Sequence, residues 1–270
     1  MTSRKPPPAR GRATGRRHRA KTEEVFHGVR ACESLFASRP EAIVRVYLTP
    51  ARQREFASLL AWCAREHKGF QVVGEENVAR IAGSLHHEGI AILARGLRRG
   101  TMSDLVGGLE AGTILGPLVY LDGVQNPHNL GSILRTAAHF GAGGILGRSG
   151  RLPPLSAAAA RVAEGAAERV PVFDLGTPDA DLGQLRRRGF RTVVTVSHGG
   201  VRLFDAPLDR RVVVVVGNEA EGVSKPLLAA ADVVVTIPGT GLVESLNVAV
   251  ACGVVLGEVW RRGAGGAKKR

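Results

Sequence analysis

Residues 212–224 read Val212-Val213-Val214-Val215-Val216-Gly217-Asn218-Glu219-Ala220-Glu221-Gly222-Val223-Ser224. Five valines in a row show no alternation, so a strand made from them offers neither face to water. Such a strand belongs inside a parallel sheet covered on both sides. The glycine-bracketed polar turn ends the strand and leads, through Ser224 as an N-cap, into a helical pattern. Outward from it, β-branched runs at 119–121, 144–146, 192–196 and 233–237 alternate with helical patterns at 130–140, 155–168, 224–231 and 245–262. That alternation predicts an α/β domain over residues 117–262, with a parallel sheet between two helical layers.

Upstream, the patterns predict a small α/β domain of its own over residues 25–95. Its helices are expected at 28–38, 52–66 and 75–82, and its strands at 44–48, 70–73 and 89–93. His86-His87-Glu88 lacks metal-ligand spacing and reads as the turn before the last of these strands. Residues 96–116 form a linker, with a short helix at 101–109.

The 270 residues include 44% hydrophobic side chains, enough for a core, and 35 glycines without a three-residue period, which excludes collagen. No apolar stretch approaches the ~20 residues of a membrane span, and the basic start is not followed by the apolar run of a signal peptide. Cys32, Cys63 and Cys252 are isolated, so neither a disulfide framework nor a zinc site is expected and a reducing cytoplasm fits best. The net charge of +13 is unevenly placed. Residues 1–21 carry eight cations and no acid, and Lys268, Lys269 and Arg270 add three, leaving +2 for everything between. Residues 1–22 read as a disordered basic arm and 263–270 as a basic tail; they are either polyanion-binding arms or solubilising ends.

A parallel sheet binds its ligands at the carboxyl ends of its strands. Three polar segments fall there. In the first, 122–131, Asn129 either caps the following helix or serves a site, and Arg135 shares a polar stripe with His128, Ser132 and His139 that reads equally as a solvated face. The second is Gly217–Gly222, where glycines allow close backbone approach and Glu219 can accept hydrogen bonds. In the third, 238–247, Ser245 and Asn247 open an apolar helix; Ser245 is either a cap or functional, and Asn247, if buried, needs partners. No Gly-x-Gly-x-x-Gly, Walker loop or His-Glu-x-x-His is present.

In this order the three segments resemble the motifs of the SpoU (TrmH) family of RNA ribose 2′-O-methyltransferases, within the SPOUT class. Asn129-x-Gly131-x-x-x-Arg135, Gly217-Asn218-Glu219-x-x-Gly222 and Glu244-Ser245-Leu246-Asn247-Val248 carry the likeness. Gly239 stands where a Met is frequent and Ala249 where a Ser is frequent. Residues 28–94 are similar to the small L30e-like RNA-binding domain of rRNA-modifying members, and residues 38–45 to an enterobacterial tRNA/rRNA methyltransferase-like branch. The resemblance implies a C-terminal SPOUT domain with a deep trefoil knot, a homodimer and S-adenosylmethionine as cofactor. It places Thr195, Gly217, Ile237 and Leu246 at the cofactor, without a metal, and gives Arg135, Asn129, Glu219, Ser245 and Asn247 catalytic roles. Its substrate is RNA, with rRNA preferred because of the N-terminal domain. A tRNA 2′-O-methyltransferase, a non-catalytic RNA-binding assembly factor and a small-metabolite enzyme are the competing expectations.

Overall fold

The computed structural model describes residues 23–264. The basic arm at 1–22 and the tail beyond Ala264 lie outside the described residues.

The first unit contains β1 (Glu23–His27), α1 (Val29–Ser38), β2 (Ile43–Leu48), α2 (Ala57–Arg65), β3 (Gly69–Val72), α3 (Glu75–Ala82) and β4 (Ile90–Arg95). Its four strands lie in the order β1-β4-β2-β3, with β4 antiparallel to both neighbours and β2 parallel to β3. Strand β1 is absent from the sequence expectation. Its five residues pair with β4 far along the chain, burying Phe26, and nothing local announces that partner. Helix α2 begins five residues later than expected, because Pro50–Arg52 forms a separate turn. The turn before β4 is as read: Glu88 and Gly89 take positive φ, and the Gly89 N–H donates to His87 Nδ1 at 3.0 Å.

The second unit contains α4 (Met102–Glu110), β5 (Leu118–Asp122), α5 (Pro127–Phe140), β6 (Gly144–Arg148), α6 (Ala157–Val162), β7 (Val172–Leu175) and α7 (Pro178–Arg186). It continues with β8 (Arg191–Val196), β9 (Val201–Arg202), β10 (Val212–Gly217), α8 (Lys225–Ala229), β11 (Val233–Thr236) and α9 (Val248–Ala264). Seven strands pair in parallel in the order β7-β6-β5-β10-β8-β11-β9. The valine strand β10 sits at the centre, flanked by β5 and β8. Val212, Val214 and Val216 enter one core with α5, α6 and α9, while Val213 and Val215 enter the other beside α4 and α7. This period of two is what burial on both faces demands, and each fully buried valine contributes roughly 1.5–3 kcal/mol.

Three local expectations change. The helix expected over 155–168 breaks after α6, where Glu164 and Gly165 take φ of 51° and 85° before a short turn at Ala166–Glu168. The helix expected from Ser245 starts at Val248 and extends to Ala264, two residues into the segment read as tail. The segment 96–116 is no free tether. Gly100 bridges Phe173 of the edge strand β7, Arg99 pairs with Asp174 at 3.0 Å, and α4 opens with a Thr101–Asp104 capping box and buries Leu105.

Candidate active site

Every parallel strand of the large sheet ends on one rim, and there the three polar segments are laced together. The Ser224 N–H donates to Asp122 Oδ2 at 2.7 Å, so the backbone rather than a capping hydroxyl holds Ser224 in place. Asn218 Nδ2 donates to the Gly123 carbonyl at 2.9 Å. Asn129 is the hub. Its Nδ2 donates to Glu219 Oε1, and its Oδ1 accepts from Asn247 Nδ2 at 3.2 Å. One side chain thereby joins the first segment to the second, 90 residues away, and to the third, 118 residues away.

The structure rules out one of the two expectations at Asn129, the cap. The cap of α5 is Asn126, whose side chain accepts from the His128 N–H at 2.9 Å, and Asn129 lies inside the helix with 9% of its surface exposed. A buried amide must satisfy its donors and acceptor, and here it does so across the motifs. Asn247, by contrast, is exposed rather than buried, and its Oδ1 caps α9 by accepting from the Ala249 N–H at 2.9 Å. Ser245 lies three residues before Val248, the first residue of the helix, and is no cap.

Beside this hub opens a cleft of about 920 Å³. Thr195, Gly217, Ile237 and Leu246 all line it, as do Glu219 and Ser245. Asn129 and Asn247 are not part of this lining; Asn129 is bonded to Glu219 within it, and Asn247 to Asn129. Gly217 is required for a reason other than ligand approach: a Cβ there would sit 2.3 Å from the Gly222 carbonyl, where Asn218 and Gly222 exchange backbone hydrogen bonds to close the turn. Thr195 donates its hydroxyl proton to the Val215 carbonyl at 3.0 Å, so toward the cleft its oxygen is left as an acceptor only. Ser197 and His198 also line the cleft and were missed. They directly follow β8, so the rule that ligands meet strand ends could have found them.

The lining suits an amphiphilic nucleoside. Val216, Ile237, Leu246 and Leu228 form an apolar wall, and Gly239 and Gly241 leave open space where a Cβ would meet nothing within 4 Å. Its volume lies within the range of cofactor sites. A second concavity, about 130 Å³ and lined by Ile114, Gly116 and Phe190, opens at the amino ends of the strands, the wrong rim for a ligand. Among the described residues no group of three His, Cys, Asp or Glu is placed to hold a metal.

Arg135 is not brought to this cleft. It lies six residues beyond Asn129 on α5, about 9 Å along the axis and about 240° around it. It is exposed and has no ion pair among the described residues, as are His128 and His139 on the same stripe.

The sequence model of the SpoU rRNA Methylase family matches residues 116–257, and that described as RNA 2'-O ribose methyltransferase substrate binding matches residues 26–99. The chain is 37% identical to the "Uncharacterized tRNA/rRNA methyltransferase YfiF" of Escherichia coli O157:H7, over 92% of this chain and 70% of that protein. It is 33% identical to the 23S rRNA (guanosine-2'-O-)-methyltransferase RlmB of Nitrosomonas europaea, over 88% of this chain and 92% of that one. The AdoMet-bound rRNA methyltransferase from Sinorhizobium meliloti superposes with a TM-score of 0.72 at 25% identity, covering 89% of this chain and 87% of that one. No described helix is long and apolar enough to cross a membrane.

Proposed function

Because the chain belongs to the SpoU rRNA methylase family, we propose that it transfers a methyl group from S-adenosylmethionine to a ribose 2′-hydroxyl of RNA, with rRNA preferred over tRNA. The observation that carries this reading is the Asn129 bridge between Glu219 and Asn247, which fixes three separate loops around one nucleoside-sized cleft.

When bound, S-adenosylmethionine supplies an electrophilic methyl on a sulfonium; the rest is placement. A ribose hydroxyl is a weak acid, so transfer, which leaves S-adenosylhomocysteine and gives the hydroxyl proton up to water, needs in-line geometry and stabilisation of the oxygen as its proton leaves. Ile237, Leu246, Thr195 and the Gly217 turn, which line the cleft, would hold the adenosine. Glu219, aligned by Asn129, and Ser245 orient the ribose at the lip. Asn247 fixes the start of α9. Arg135 supplies guanidinium donors to the neighbouring phosphate and to the developing alkoxide, since a guanidinium stays protonated and makes a poor base.

Arg135 stands outside the cleft of its own chain, which supports a homodimer. Helix α9 packs on α5 through Gly253 against Thr136 and Gly257 against Phe140, yet leaves Val250 and Trp260 exposed. The trefoil knot and the cytoplasmic setting belong to the same reading. The division into an RNA-recognising unit at 25–95 and a methyltransferase unit at 117–262 is proposed likewise. Titration calorimetry with S-adenosylmethionine, followed by mass-spectrometric mapping of methylated ribose in rRNA and tRNA from a deletion strain, tests the cofactor and the substrate. A folded protein that binds no S-adenosylmethionine would refute the enzyme reading, and loss of a tRNA methyl alone would move the substrate.

A further inference from the structure

The two units meet through a built joint that the methyl-transfer chemistry does not use. Arg39, just past α1, reaches across to Glu168 and holds it with two hydrogen bonds, from Nε at 2.6 Å and from an η nitrogen at 2.9 Å. The two side chains are only 16% and 5% exposed. On its own side Arg39 stacks over the Phe26 ring, 5.1 Å from its centre, and donates to the Arg95 carbonyl. Beside it, Ser34 Oγ donates to the Gly165 carbonyl at 2.8 Å. Gly165 has φ of 85°, and a Cβ there would lie 2.8 Å from the Ser34 Cβ, so glycine is required both by the backbone and by the closeness of the joint. One apolar core continues through it, from Phe26 and Leu35 to Ala163 and Ala166. At the other end of the connection, Gly100 is hydrogen-bonded into the edge strand β7.

Units joined by a linker move relative to one another by default unless their interface is large or specific. A planar fork on a carboxylate has one good orientation, unlike an apolar patch, which tolerates sliding. The break at Glu164 and Gly165 supplies the acceptor. This loop packs against α5, the helix that carries Asn129 and Arg135. We infer that Arg39 and Glu168, with Ser34 and Gly165, are positioning residues that hold the N-terminal unit at a single span from the Asn129 cleft. They thereby select RNAs whose recognition element and target ribose are separated by that span. This inference rests on the methyltransferase reading for its substrate, though not for its geometry.

The test uses the full chain with Arg39→Ala and, separately, Ser34→Trp. Ser34 faces the other unit, where its hydroxyl meets the Gly165 carbonyl, so the second substitution wedges the joint while leaving Arg39 itself in place. Small-angle scattering reports the spacing of the units. Methyl mapping on a full-length rRNA transcript and on a short hairpin around its methylated nucleotide separates site choice from turnover. Both variants should show a broadened distance distribution and about tenfold lower preference for the native site on the long RNA. Their rates on the hairpin should stay at the wild-type level. Folded variants with unchanged scattering, or with altered scattering and unchanged site choice, would overturn the inference. Should Arg39→Ala fail to fold, Ser34→Trp decides. A wild-type chain that methylates neither RNA would count against the methyltransferase reading, while scattering would still decide the joint.

Discussion

Replacing Asn129 with Asp or with Ala separates its two hydrogen bonds. Asn129→Ala removes a bond to a charged acceptor, worth about 1.5–3 kcal/mol, and a neutral one worth about 0.5–1.5 kcal/mol. Glu219 and Asn247 are exposed enough to be rehydrated, so the cost should lie near the lower end, about 2 kcal/mol. Asn129→Asp keeps the acceptor for Asn247 but turns the donor toward Glu219 into a second carboxylate. Besides the lost bond, two like charges about 4 Å apart repel by roughly 1–4 kcal/mol across water-like to surface-like dielectrics. The near-isosteric change should therefore be the worse one, at about 4 kcal/mol. Thermal unfolding and radiolabelled methyl transfer both read this. Methyl transfer should fall by on the order of 100-fold, the scale of an active-site misplacement of about 1 Å. Adding Glu219→Gln should recover much of the Asn129→Asp loss and little of the Asn129→Ala loss, a coupling that a double-mutant cycle isolates. Equal losses in the two single variants, or no rescue, would refute the bridge as the organiser of the site.

Arg135→Ala should abolish methyl transfer while leaving thermal midpoint and cofactor affinity nearly intact, and Arg135→Lys should restore little for want of the planar fork; near-wild-type turnover would remove Arg135 from the chemistry. The hydrogen bond from Arg261, helped by Arg262 and opposed by burial, holds the Glu258 carboxyl down at about 2. A depressed carboxylate stabilises the fold above its ordinary range and loses that contribution as pH falls from about 4.5 toward 2, so Glu258→Gln should flatten the acid limb of a denaturant-midpoint profile. Burial raises Asp181, and its Oδ2 has no partner among the described residues. Here ionisation costs stability as pH rises through the raised value, so Asp181→Asn should raise the thermal midpoint near neutrality, with the gain vanishing in acid. Deleting residues 1–22 removes eight cations; if the arm touches phosphate, RNA affinity should drop and its salt slope flatten while site choice survives, and an unchanged slope would make it a solubility tail.

The central strand and the α/β class were legible because five consecutive valines have only one stable environment, a sheet interior covered twice. The polar segments were legible as places, since residues just after parallel strands share one rim. Local pattern could not say which bonds those residues make. Asn129 reads as a cap from its neighbours alone, and only closure of the sheet brings Glu219 and Asn247 to its amide while Asn126 takes the cap. The same limit hid β1, whose pairing partner lies far along the chain, and the break at Glu164 and Gly165, whose helical-looking sequence is interrupted to receive Ser34 and Arg39. Periodicity reports how an element buries its own faces. The partners of a buried amide, a fork or a strand edge come from elsewhere in the chain, and the tertiary structure alone decided them.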